Sequence, residues 1–227
     1  MKHVLEVCLI AVALNTPIAV SQSDSTPTLR PGISVQMVVA GNSTPMPTAD
    51  KEDALVVTVT DGGVVYLGID PTAPVSLSQK IKDGLLQRQA LYIKADARTP
   101  YANVARVLEA AHNAGVTATA LLTTQSEPAA PGTIASPRGL EVLLDIPAGM
   151  VATVVELTSS AKPPMLKVNN DQTAWPALQS TLMQHFQKGD EKLIVLKADA
   201  HVPFADVAHV IDLCRSTGAR VVLTPGQ

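Results

Sequence analysis

The sequence predicts an α/β (α+β) protein made of two tandem small domains, each a mixed sheet with two helices and a β-α-β crossover. The first observation behind this is a repeat: Lys94-Ala95-Asp96-Ala97 and Lys197-Ala198-Asp199-Ala200 match at an offset of 103 residues, and ten of the twenty-two positions from Lys94 to Gly115 are identical to their partners. Shared secondary-structure preference does not produce that much identity, so the pattern reads as a tandem duplication. The second is helical period after each motif: Val104, Val107, Leu108 and Ala111, then Val207, Val210, Ile211 and Cys214, recur at i, i+3, i+4 and i+7. The third is strand period before each motif, where Leu91, Ile93 and Ala95, and later Ile194, Leu196 and Ala198, alternate with the residues between them. Half-buried strands are expected there.

The elements follow in chain order. Residues 1–21 combine Lys2, an apolar run from Val7 to Leu14 and a small-residue stretch ending at Ser21, the layout of a signal peptide cut after Ser21 or of an N-terminal membrane anchor. Either alternative puts the rest of the chain outside the cytoplasm of a bacterial-type cell, with Lys2 inside. Residues 22–31 read as a spacer, 32–124 as domain 1, 125–137 as a linker rich in Pro and Ala, and 138–227 as domain 2. Gly32-Ile33-Ser34-Val35 and Gly139-Leu140-Glu141-Val142 open the two domains as expected edge strands, and Gly41 to Asp53 reads as a polar loop. Leu55 to Thr60 and Val64 to Leu67 flank Asp61-Gly62-Gly63 as a hairpin, with a longer, looser counterpart around Ser159 to Pro164. Leu77, Ile81 and Leu85, then Leu178, Leu182 and Phe186, mark a helix ahead of each motif. Pro100 and Pro203 suit the first turn of the helices after the motifs, and Gly115 and Gly218 their C-terminal caps. Strands from Val116 to Leu122 and from Arg220 to Thr224 complete parallel crossovers.

Composition narrows the function. A net charge of -3 with six aromatic residues in 227 leaves no basic stripe interleaved with stacking platforms, so nucleic acid is excluded as a partner. Cys8 lies in the apolar leader and Cys214 continues the inward stripe of its helix, so no disulfide framework is expected and Cys214 reads as a small buried hydrophobe. No nucleophile, base and orienting group assemble, and no spacing suits a metal or a phosphate, so the chain reads as a non-enzyme with no metal and no cofactor. Asp96 and Asp199 end strands before helices, where an acid more often organises the loop than performs chemistry. Together with Pro100, Tyr101, Pro203 and Phe204 they form a repeated loop and helix-entry motif. Glu6 is the remaining candidate: if the leader stays in the membrane, a carboxyl group there can take up and release a proton.

From Asp61-Gly62-Gly63-Val64-Val65-Tyr66-Leu67-Gly68 through Ile93-Lys94-Ala95-Asp96, Pro100-Tyr101 and Val104 to Val116, the chain resembles the periplasmic domain of the ExbD/TolR family of biopolymer-transport proteins, and Lys197 to Gly218 resembles it more faintly. The resemblance implies an envelope protein with periplasmic domains, anchored in the inner membrane or secreted. It also implies a polytopic proton-channel partner of the ExbB/TolQ type, and an acid at the head of the membrane helix, a place held here by Glu6 in Leu5-Glu6-Val7. Because the family's domain pairs as a dimer, a tandem copy is expected to pair within one chain. Two functions follow: an accessory or divergent subunit of a transport complex driven by proton-motive force, or a soluble periplasmic scaffold that contacts peptidoglycan or an envelope partner without proton coupling.

Overall fold

The computed structural model describes residues 32–51, 53–86, 90–124, 136–186 and 192–224. The first half holds β1 (Thr44–Pro45), β2 (Leu55–Val59), β3 (Val65–Leu67), β4 (Asp70–Pro71), α1 (Pro74–Leu85), β5 (Leu91–Ala95), α2 (Tyr101–Asn113) and β6 (Ala118–Thr123). Then come β7 (Arg138–Leu143), β8 (Thr153–Thr158), β9 (Met165–Val168), β10 (Asp171–Thr173), a 3-10 turn (Trp175–Ala177), α3 (Leu178–His185), β11 (Leu193–Ala198), α4 (Phe204–Ser216) and β12 (Arg220–Leu223). The mixed α/β character is as the sequence predicts. Two sheets, one per domain, are expected; the described strands instead form one mixed sheet in the order β10-β9-β8-β11-β12-β7-β6-β5-β2-β3-β4, with β1 beside β7.

The order explains how two similar halves share one sheet. In each half an antiparallel hairpin, β2 with β3 or β8 with β9, is extended by two parallel strands, β5 and β6 or β11 and β12. Between the halves lies β7, antiparallel to β6 over six residue pairs and parallel to β12 at a single pair, Val222 with Leu143. The opening of the second half is therefore a central strand, not an edge. Residues 32–38 form no regular strand, although Val39 makes a parallel bridge to Thr124.

Alternation along the strands sorts the interior into two layers. Leu55, Val57, Ile93, Leu121, Leu140, Val155, Ile194 and Val221 face the four helices in one large core with Leu77, Ile81, Val104, Leu108, Leu178, Leu182, Val207 and Ile211. Their neighbours point to the opposite face, where Tyr92, Ala120 and Leu122 lie under Met46, Ala49 and Ala54. Farther along, Leu193, Val195 and Val222 lie beside Leu143 of β7 and pack against Met150 and Ala152. So β5 and β11 are covered on both faces rather than half-buried. The Gly41 to Asp53 stretch is the cover over the first half, and Thr48 hydrogen-bonds the Tyr92 hydroxyl through its Oγ1. Polar composition disguised a segment whose few apolar side chains, Met46 and Ala49, all point inward.

Helix ends follow local chemistry. Gly115 and Gly218 sit just past α2 and α4 at φ +89° and +78°, a region glycine enters at little cost. Pro100 and Pro203 stand one position earlier than expected, as the caps. Cys214 is fully buried on α4, and burial pushes its thiol up to about 12.

Candidate functional site

The two motif loops meet. Pro100 and Pro203 bridge antiparallel at the middle of the molecule, and the bonds on either side are reciprocal. The Tyr101 amide donates to the Val202 carbonyl (2.8 Å) and the Ala102 amide to Ala200 (3.0 Å). In return Phe204 donates to Thr99 (2.9 Å) and Ala205 to Ala97 (2.9 Å). Every donor and acceptor here maps onto its counterpart at the 103-residue offset, so the contact has a local pseudo-twofold axis. The first amides of a helix have no intrahelical acceptor, and neither proline cap supplies a side-chain acceptor. Each helix N-terminus is instead capped by the loop of the other half.

Beside the axis the two aspartates differ. Asp96 is buried and accepts the amides of Gln36 (3.1 Å) and Arg98 (3.0 Å), with Arg98 Nε at 2.9 Å and Nη2 at 3.0 Å. The Arg98 guanidinium holds the Asp96 carboxyl well below the usual carboxylate range, against the opposing effect of burial. Arg98 also reaches Asp61 in the β2–β3 turn at 3.4 Å. Asp199 is exposed and accepts the amide (2.9 Å) and hydroxyl (3.3 Å) of Ser159 in the β8–β9 turn. Both carboxylates bind backbone amides and organise loops. Tyr101 and Phe204 are buried side chains of the shared core; burial raises the Tyr101 phenol, whose hydroxyl finds no partner among the described residues.

A strap formed by residues 33–46 crosses both halves, and no sequence signal revealed it. Lys94 Nζ donates to the Ile33 carbonyl (2.9 Å), and burial lowers its pKa. The Ala97 amide donates to Gln36, and Val38 and Ala40 ladder with Thr124. On the far side Asp212 of α4, itself buried, accepts the amides of Gly41 (3.1 Å) and Asn42 (2.7 Å). The Asp212 position was legible only as an acid on the inward side of an apolar helix stripe, a pattern that asks for a backbone partner without naming one. Glu6 lies outside the described residues, and among the described residues no cluster of His, Cys, Asp and Glu has the makings of a metal site.

A family model described as biopolymer transport protein ExbD/TolR matches residues 8–126, just over half of the chain. The chain belongs to the ExbD/TolR family. Comparison with curated proteins and with solved structures returns no match. In this ExbD/TolR protein the matched stretch runs from inside the apolar leader to the end of β6, and the second half, which repeats the strand order β4-β3-β2-β5-β6 as β10-β9-β8-β11-β12, lies beyond it. Among the described residues no helix is long and apolar enough to cross a membrane.

Proposed function

We propose that this ExbD/TolR protein is an accessory or divergent subunit of a biopolymer transport complex driven by proton-motive force. It is held at the inner membrane by the apolar segment within residues 1–21 and works beside a polytopic partner of the ExbB/TolQ type. Its periplasmic part is a tandem duplicate that pairs with itself inside one chain, and it performs no catalysis of its own. The observation that carries this reading is the extent of the family match: it begins at residue 8 inside the apolar run and extends to residue 126 in the folded body. A leader that was only a secretion signal would give a family model of an anchored protein little reason to start there. The reciprocal bonds at Pro100 and Pro203 support the pairing, because a surface that satisfies itself around a twofold axis is the kind an ancestral homodimer leaves to its fused copies.

Two measurements test it. Sequencing the N-terminus of protein recovered from the membrane fraction should return the intact leader; a mature end near Gln22 would instead favour the scaffold that contacts peptidoglycan or an envelope partner without proton coupling. Glu6→Gln keeps the shape of the side chain and removes its titration, so transport that depends on the proton gradient should fall to background while insertion stays normal. Full activity in that variant would remove Glu6 from the coupling.

A further inference from the structure

The two halves close their helix layers differently. In the first, Pro74 enters α1 directly and the helix runs 12 residues to Leu85; in the second, the 3-10 turn Trp175–Ala177 comes first and α3 runs only 8 residues. Leu77 and Ile81 of α1 and Leu178 and Leu182 of α3 are the matching buried positions, which sets Trp175 where the first half has Pro74. On the facing helix, His209 of α4 stands where α2 has Arg106, at the 103-residue offset.

The shorter side is fastened by a ring pair. The Trp175 indole and the His209 imidazole stack with centroids 5.8 Å apart and planes 15° from parallel, within the range of an offset aromatic contact. Trp175 is fixed from behind: its Nε1 donates to the Pro164 carbonyl just ahead of β9 (2.8 Å), and its ring packs against the large core. His209 is exposed, so protons reach it from solvent. The acids nearest to it along α4 are Asp206, one turn earlier, and Asp212, one turn later. Asp212 is committed to the amides of Gly41 and Asn42, whereas Asp206 and His209 feel each other's charge. Because Asp206 lies on the same helix, that attraction steadies the imidazole without adding to the bond between elements. Among the described residues, no charged side chain of β9, β10 or α3 forms an ion pair with His209. Histidine is the side chain that gains charge as the pH falls from about 8 to 5. A cation over an indole face is attracted by its π electrons, where a neutral ring is only packed against it, so adding a proton strengthens the contact between the turn and α4.

We propose that Trp175 and His209 form a proton-responsive clasp that holds the turn ahead of α3, and with it the outer end of the second half, more firmly to α4 when His209 is charged. The clasp is independent of the transport reading and would stand if that reading failed. It is tested on the full-length chain in non-ionic detergent, where Trp175 is the only tryptophan and an imidazolium in contact with an indole quenches its emission. From pH 8 to pH 5 the emission should fall. Over the same range the amides of residues 171–178 should gain about threefold in hydrogen-exchange protection, corrected for intrinsic rates, the scale of an exposed cation–π contact. His209→Gln should remove both responses and keep the low protection at every pH. His209→Arg, a residue α2 already carries at the matching place, stacks a permanent charge on the indole and should keep the high protection at both ends of the range. Emission that ignores pH, protection that responds alike in the wild type and His209→Gln, or equal protection of His209→Arg and His209→Gln at pH 8 would overturn the proposal and leave the ring pair as packing only.

Discussion

Asp96 shows how one side chain couples the motif loop to the strap. Its carboxylate holds Gln36 and Arg98 at once, and its depressed pKa is a stability statement. The unfolded carboxyl titrates near pH 4, whereas the native one stays ionised well below that. The stabilisation is therefore complete above the unfolded pKa and declines as the pH falls through about 4 toward the native value. Asp96→Asn should lower stability at pH 7 by about 1–3 kcal/mol, the scale of charged hydrogen bonds lost at a buried site. It should also flatten the loss of stability between about pH 5 and pH 2, which chemical denaturation at a series of pH values will read. An unchanged acid slope would show that the carboxylate is not what holds the strap. Tyr101 makes the opposite case. Its counterpart is Phe204, and its buried hydroxyl has no partner among the described residues, so Tyr101→Phe should be neutral or stabilising by up to about 1 kcal/mol. A marked loss in thermal unfolding would reveal a hydrogen bond to that hydroxyl.

At the scale of elements, the β2–β3 turn separates backbone need from space. Gly63 has φ +78°, and a Cβ there would meet the Asn103 amide of α2 at 2.5 Å. Gly62 has no such φ and nothing within 4 Å of its Cβ position. Gly63→Ala should therefore cost about 1–2 kcal/mol from conformation alone, and more from displacing Asn103, which also bonds Thr99 in the loop before α2. Gly62→Ala should change stability by less than about 0.5 kcal/mol. Equal effects of the two changes on the urea midpoint would contradict this account of the turn. The sequence announced this hairpin because its signal is local: a glycine pair between two β-rich runs. The four helices and the parallel strands were legible for the same reason, since apolar period and glycine caps are written within one element. What escaped was non-local. The caps of α2 and α4 come from the opposite loop, the strap anchors at Asp212 some 170 residues away, and β7 joins two sheets that local pattern could only show as separate. In the candidate site the repeat identified Asp96, Pro100, Tyr101 and their counterparts. Arg98 and Gln36, which complete the Asp96 cluster, have no equivalents in the repeat and so left no mark.

The whole molecule is two similar halves that share one sheet, one helical core and a capped pair of loops, and this sets how it should unfold. The six-pair β6–β7 ladder crosses the proposed domain boundary, α2 and α4 belong to one buried cluster, and the strap is bonded to both halves. Parting the halves would uncover apolar surface on both sides at once, so intact protein should unfold in a single cooperative transition rather than two. A protease site placed within residues 125–135 gives the sharper test. Cutting there removes no strand and no bond described above, so the two pieces should stay together on size-exclusion chromatography. The cut does remove covalent linkage, which supplies an effective concentration on the order of millimolar. At micromolar protein that thousandfold difference corresponds to about 4 kcal/mol, and the melting temperature of the nicked protein should fall and become dependent on concentration, where that of the intact chain is not. Separation of the pieces under native conditions, or two resolved transitions in the intact chain, would show two domains that merely share a linker, and the intramolecular pseudo-dimer would be lost with them.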